Sequence, residues 1–203
     1  MSAGYLLAGG GSLRFGSDKA LAEFDGRPLL LWTFDLLAAV CAPVQLVVRE
    51  EKYAKFGLHT LADRWPGEGP LGGILTALLD ANAGGGSEWS LMIGCDMPFL
   101  TRSWLEHLLR VAEAHPSAQV VVPSVKGRLE PLCACWRRSA APQIQAFFDS
   151  GVRRVSETIR NLQAEVLDES HWKRFDTAGN LFWNMNSPAD YKEALRVWEA
   201  RTS

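Results

Sequence analysis

The chain has 203 residues, 47% hydrophobic and 22% charged, an ordinary globular balance with enough length for one domain with a sizeable core. A formal net charge of −2 and a pI near 6.1 exclude a general electrostatic pull toward nucleic acid or an anionic membrane, so any anion site must be local. The apolar run near the amino terminus, Gly4 to Gly11, has no basic segment ahead of it and is too short and glycine-rich for a signal segment or a membrane span; a cytoplasmic protein is expected.

Tyr5 to Leu7 reads as a first buried strand. It runs into Leu7-Ala8-Gly9-Gly10-Gly11-Ser12-Leu13-Arg14-Phe15-Gly16-Ser17-Asp18-Lys19. Glycines allow positive φ and let backbone N–H groups come close to an anion, while Arg14 and Lys19 bring fixed positive charge, so the stretch reads as a phosphate cradle for a nucleoside triphosphate. It is neither a Walker loop, which needs Lys-Ser/Thr directly after the last glycine, nor a Gly-x-Gly-x-x-Gly dinucleotide turn.

Asp25-Gly26 is a turn signal, and Pro28 suits the first position of a helix over Leu29 to Val40. Val44 to Val48, Ser90 to Ile93 and Val120 to Val122 are near-continuous apolar runs, as expected of strands buried on both faces. Pro70-Leu71 opens a helix to about Asn82, Gly84 to Ser87 is a loop, and Thr101 caps a helix to about His115. This alternation predicts a three-layer α/β/α, Rossmann-like fold with a mostly parallel sheet. Beyond Pro123 the alternation weakens: Pro131 to Trp136 and Ala164 to Leu167 read as strands, and Ala140 to Ser150 and Val155 to Asn161 as helices. A last helix starts after Ser187-Pro188.

Candidate chemistry falls at the carboxyl ends of the strands, which face the ligand crevice in an open parallel sheet. Asp96, just after the Ser90 strand, would stand beside the glycine loop and suits a Mg²⁺ ligand; alternatively it only caps the turn into the next helix. Asp63, ahead of Gly69-Pro70-Leu71-Gly72-Gly73-Ile74, could accept from the N–H donors of a guanine edge, with the glycine-rich Gly69 to Gly73 turn leaving room for a purine, or be a loop residue in a surface ion pair. Arg153 and Arg154 near a helix start could bind an acceptor phosphate or be solvated surface charge. Asn184 and Asn186 alternate in an extended segment, so both amides can face one side, unless they merely tie the turn before the last helix. Cys41, Cys95, Cys133 and Cys135 have no zinc spacing and are expected to be reduced, with Cys133 and Cys135 on one strand face. The four histidines are scattered and the eight tryptophans, Trp183 among them, read mainly as core or subunit-contact residues.

Leu-Ala-Gly-Gly, Ser-x-Arg-Phe-Gly-x-Asp-Lys, Gly26-Arg27-Pro28-Leu29, Asp63, Gly69 to Ile74, Asp96-Met97-Pro98, Arg128-x-Glu130-Pro131-Leu132, Arg153-Arg154 and Asn184-x-Asn186-Ser-Pro-x-Asp190 occur in one order. The ordered set resembles the molybdenum cofactor guanylyltransferases along nearly the whole chain. The resemblance implies a nucleotide-diphospho-sugar transferase type of fold and Mg²⁺-dependent transfer of GMP from GTP to molybdopterin, with release of pyrophosphate. It also implies partner proteins that insert or receive the cofactor, while the charge balance leads us to expect no nucleic-acid or membrane partner. By matching positions it implies GTP contacts from Leu7, Ala8, Gly9, Gly10, Lys19 and Asp63, and Mg²⁺ on Asp96. It links Arg14, Arg154, Asn184 and Asn186 with catalysis or the pterin substrate, Arg14 and Lys19 being the catalytic cations beside Asp96. Residues 1–203 are then one nucleotidyltransferase domain, with a GTP-binding half over about 1–100 and an acceptor-binding half over about 101–203. Two departures, Phe15 for the commoner Met and Ser187 for Thr, keep size or hydroxyl chemistry. A cytidylyltransferase of the same fold and a GTP-binding regulatory protein without turnover are the competing readings.

Overall fold

The computed structural model describes residues 1–8, 18–49, 51–84 and 86–202; Gly9, Gly10 and Arg14 of the glycine-rich loop lie outside the described residues. In chain order the elements are β1 (Ala3–Leu7), β2 (Glu23–Phe24), β3 (Arg27–Pro28), α1 (Leu29–Ala38), β4 (Val44–Val48), β5 (Thr60–Ala62), α2 (Pro70–Gly84) and β6 (Trp89–Gly94). Then follow α3 (Arg102–Ala114), β7 (Val120–Val125), β8 (Arg128–Leu129), β9 (Cys133–Arg137), α4 (Ala141–Asp149), α5 (Val155–Arg160), β10 (Ala164–Leu167), α6 (Glu169–Trp172) and α7 (Pro188–Thr202). The strands predicted over Val44 to Val48 and Ala164 to Leu167 match in full.

The central sheet runs β10-β7-β9-β6-β1-β4-β5, with β8 paired to β7. β1 pairs in parallel with both β4 and β6, β4 with β5, and β7 with β10. β9 lies antiparallel to β6 and β7. No helix separates β7 from β9, only a tight turn through Lys126 (φ 50°) and Gly127 (φ 77°) and the short strand β8, and without a helical crossover the returning chain must run the other way.

Alternating side chains feed two cores. Leu6, Leu46, Ile93 and Cys135 pack with α1 and α3 on one face, while Tyr5, Val47, Met92 and Trp136 pack with α2, α4 and α5 on the other. Cys133 and Cys135 share the first face, as predicted, and all four cysteines are free and buried; burial pushes the thiols of Cys41 and Cys133 up to about 12.

One helix start differs from expectation. Pro28 takes extended ψ (136°) as the last residue of the β2–β3 hairpin and flanks α1 instead of opening it. The hairpin turns at Asp25 (φ 50°) and Gly26 (φ 69°), both left-handed, which is the conformation that an Asp-Gly pair favours. Phe24 and Leu29 then pack with Phe99, Met185 and Ala194 in a third cluster, where Trp32, Trp183 and Trp198 close the seam between hairpin and α7. Thr101 caps α3 by accepting from Trp104 N (3.3 Å). Ser187 and Asp190 form a capping box on α7: Asp190 N donates to Ser187 Oγ (3.2 Å) and Ser187 N to Asp190 Oδ2 (2.8 Å). Among the described residues no helix is long and apolar enough to cross a membrane.

Candidate active site

β1 has β4 on one side and β6 on the other, so the strand order reverses there and a crevice opens at the carboxyl ends. Leu7 faces Gly94 across the ladder and Ala8 N donates to Val47 O (3.1 Å), which directs the entry to the glycine-rich loop alongside Asp96. Beyond that loop Asp18 fixes the next turn: Oδ1 accepts from Ala20 N (3.1 Å) and Oδ2 from the hydroxyl of the fully buried Tyr53 (2.8 Å). This turn aims Lys19 inward. Lys19 Nζ donates to Asn186 Oδ1 (3.0 Å) and lies 3.7 Å from Asp96 Oδ2, with side-chain exposures of 16% for Lys19 and 24% for Asp96.

The segment 183–186 delivers both asparagines to the same place. Met185 N donates to the carbonyl of Asp96 (3.0 Å), and Met185 itself is fully buried, so its two neighbours turn toward the crevice. Asn184 Nδ2 donates to Glu130 Oε2 (3.1 Å). Trp183 stands edge-on to Phe99 at 6.2 Å, in the aromatic cluster. Four predicted residues, Lys19, Asp96, Asn184 and Asn186, therefore converge. Asp18, Tyr53 and Glu130 complete their surroundings. Glu130 had a motif around it but no predicted task, and Tyr53 carries no sequence signal because its partner is 35 positions away.

Asp96 is more than a turn cap. Among the described residues its Oδ1 is buried without a hydrogen-bond partner, and burial pushes the carboxyl above the usual range, against the pull of the Lys19 ammonium and a backbone N–H. Gly94 makes room for it, since a Cβ there would sit 2.9 Å from Asp96 Oδ1. A buried carboxylate oxygen lacking a partner fits a hard divalent cation. No group of three or more His, Cys, Asp or Glu side chains able to hold a metal occurs among the described residues, so such an ion would complete its shell with phosphate oxygens and water.

Among the described residues Asp63 forms no surface ion pair. Oδ1 accepts from Trp65 N (3.0 Å) and from Thr76 Oγ1 (3.1 Å), pinning the loop after β5 to α2, while Oδ2 takes no hydrogen bond among the described residues. Gly69 (φ 83°) makes the turn into α2. Gly72 and Gly73 do not leave space for a base; they are buried and let α2 press close, a Cβ meeting Trp65 at 3.2 Å or Leu7 at 3.0 Å. Arg153 is committed elsewhere: it pairs with Glu68 (2.5 Å), donates to Phe148 O (2.6 Å) and lies 3.9 Å over the Phe148 ring. Arg154 is exposed, and among the described residues only its backbone is engaged, capping the short helix α5.

The profile of the MobA-like NTP transferase domain matches residues 4–166. A probable molybdenum cofactor guanylyltransferase from Deinococcus radiodurans is 36% identical over 189 residues, covering 93% of this chain and 91% of the relative. Molybdopterin-guanine dinucleotide biosynthesis protein A from Archaeoglobus fulgidus superposes with a TM-score of 0.84 at 25% identity, covering 98% of this chain and 99% of that one. The 2-C-methyl-D-erythritol 4-phosphate cytidylyltransferase of Thermus thermophilus shares the fold alone, with a TM-score of 0.68 at 15% identity over 99% of this chain and 100% of the other. By its sequence profile and its sheet order, the chain is a nucleotidyltransferase that belongs to the MobA-like NTP transferase family.

Proposed function

We propose that this protein transfers GMP from GTP to the terminal phosphate of molybdopterin, forming the guanine dinucleotide and pyrophosphate, with Mg²⁺ as the metal, in the cytoplasm. The observation that carries this reading is the meeting of Lys19, Asp96 and Asn186 where β1 and β6 end. A terminal phosphate oxygen of the acceptor forms a bond to the α-phosphorus of GTP as the bond to pyrophosphate breaks in line. No protein nucleophile is needed, so the chain's work is positioning and charge compensation. Mg²⁺, held by Asp96 when bound, supplies Lewis-acid stabilisation of the phosphates. Lys19 supplies the fixed positive charge on the nucleotide side, and Asn184 and Asn186 bound the acceptor side. Residues 1–203 act as one domain, nucleotide-binding over about 1–100 and acceptor-binding over about 101–203. The direct test is pyrophosphate release on mixing the protein with Mg²⁺, molybdopterin and each NTP in turn; release with CTP alone would favour the cytidylyl reading, and no release with any NTP the regulatory one.

GTP should be strongly preferred. Asp63 Oδ2, which takes no hydrogen bond among the described residues, can accept from guanine N1–H and N2–H₂, whereas adenine has an acceptor at N1 and cytosine is too small to reach, leaving polar groups unpaired at about 1–3 kcal/mol each. Asp63→Ala is expected to erode the GTP/ATP ratio of kcat/KM more than it lowers kcat. It should also lower Tm, because Trp65 N and Thr76 lose their acceptor. An unchanged nucleotide ratio alongside a lowered Tm would confine Asp63 to the loop.

Arg154→Ala should raise KM for molybdopterin far more than for GTP, since the side chain is exposed and free to take an acceptor phosphate. Steady-state kinetics with each substrate varied separately checks this. Two unmoved constants would return Arg154 to the solvated surface.

A further inference from the structure

Glu130 lies in the turn between β8 and β9, and its backbone is held at both ends: its N–H donates to Pro123 O (2.9 Å) and its carbonyl accepts from Cys133 N (3.0 Å). Gly94 N donates to Leu132 O (2.8 Å), tying the same turn to the strand end that leads to Asp96. The Glu130 carboxyl is half-buried and accepts from Asn184 Nδ2 at 3.1 Å. Burial pushes this carboxyl above the usual range, with the Asn184 hydrogen bond opposing and the Asp96 charge adding to the rise. A half-buried carboxylate set against a second one is costly, and a purely structural position would be served as well by an apolar side chain.

We infer that Glu130 is a positioning residue that fixes the amide of Asn184, so that Asn184 offers its carbonyl oxygen, and not its NH₂ group, to the acceptor substrate. This rests on the proposed acceptor-side role of Asn184. An unrestrained amide can present either end, because the two ends have nearly the same shape. With Nδ2 committed to a carboxylate, Asn184 Oδ1 is left for a ligand. Asn186 is fixed in the opposite sense: Lys19 Nζ occupies its Oδ1, which leaves its NH₂ group to donate. Met185, buried between them and bonded to the Asp96 carbonyl, holds the pair in register. The crevice therefore presents a donor and an acceptor side by side. Its chemical complement is a ligand with an anionic oxygen near Asn186 and an N–H or O–H donor near Asn184, as a phosphorylated heterocycle with a ring N–H or an amino group has.

The test compares wild type with Glu130→Ala, Glu130→Gln, Asn184→Ala and the Glu130→Ala/Asn184→Ala double variant of the full chain. Glu130→Ala should raise KM for molybdopterin about tenfold, the usual scale for one misdirected hydrogen bond, and leave KM for GTP nearly unmoved. Glu130→Gln, whose Oε1 still accepts the amide, should recover most of that loss and stands in if the Ala variant melts. In the Asn184→Ala background Glu130→Ala should add nothing, because its effect runs through that amide. Additive losses, or equal rises in both KM values, would overturn the inference. A readout free of turnover is the side-chain amide signal of Asn184 by NMR in the ligand-free protein, assigned by its loss in Asn184→Ala. It should shift in Glu130→Ala, and an unmoved signal overturns the coupling even in an active enzyme. A signal moved by Glu130→Ala, together with a wild type that releases no pyrophosphate, would instead sink the functional reading and leave the coupling standing.

Discussion

Asp96→Asn should lower Mg²⁺-dependent kcat by roughly two orders of magnitude or more, the scale of removing one electrostatic contact to the transition state, while Tm in Mg²⁺-free buffer holds or rises. Burial raises the Asp96 pKa on folding, so the folded chain binds that proton more tightly than the unfolded chain does. Stability from this group therefore falls as pH rises from the unfolded carboxylate pKa through the folded one, and at neutral pH the buried charge is a net cost. Asparagine has nearly the same shape and no charge, so it removes the cost together with the proposed metal ligand. Turnover at several Mg²⁺ concentrations and thermal melts from pH 4 to 8, a range chosen around ordinary carboxylate values, check both halves. Near-normal rates at ordinary Mg²⁺ would remove Asp96 from the metal site.

Lys19→Ala is expected to lower kcat/KM for GTP by about two orders of magnitude, with losses in both nucleotide affinity and kcat. In the proposed reaction the ammonium compensates triphosphate charge in the ground state and more of it as charge develops on the leaving pyrophosphate. Its loss also strips Asn186 Oδ1 of a donor and Asp96 of its neighbouring cation. The variant should therefore weaken the acceptor site as well, unlike Arg154→Ala, which acts on that side alone. Isothermal titration with GTP and single-turnover rates separate the two contributions. Unchanged affinity and rate together would exclude Lys19 from the reaction.

What could be read from the residues followed the reach of the forces involved. Parallel strands such as Val44–Val48 announce themselves because burial on both faces demands a continuous apolar run. Thr101 and Ser187 were legible as caps because a cap is local chemistry. Strand direction is not local: nothing within Cys133–Arg137 distinguishes the antiparallel β9 from its parallel neighbours, and the direction follows from a connection without a helix. At the site, Lys19 and Asp96 could be anticipated because one brings fixed charge to the glycine-rich stretch and the other directly follows the end of β6. The task of Glu130 could not, since its partner Asn184 is 54 residues away and the contact depends on how β9 enters the sheet. Gly72 and Gly73 misled for a related reason: a glycine that lets a backbone approach a ligand and one that lets a helix approach a strand are the same residue.

The contact between Lys19 and Asn186 joins positions 167 residues apart. A growing polypeptide leaving the ribosome can pair β1, β4 and β6 long before residue 186 is made, so in the proposed reading the nucleotide side can form while the acceptor side is still incomplete. Competence for transfer thus comes only with synthesis of the closing segment. Truncation ahead of Trp183 should yield a chain that still retains nucleotide and never turns it over, which separates the birth of binding from the birth of catalysis.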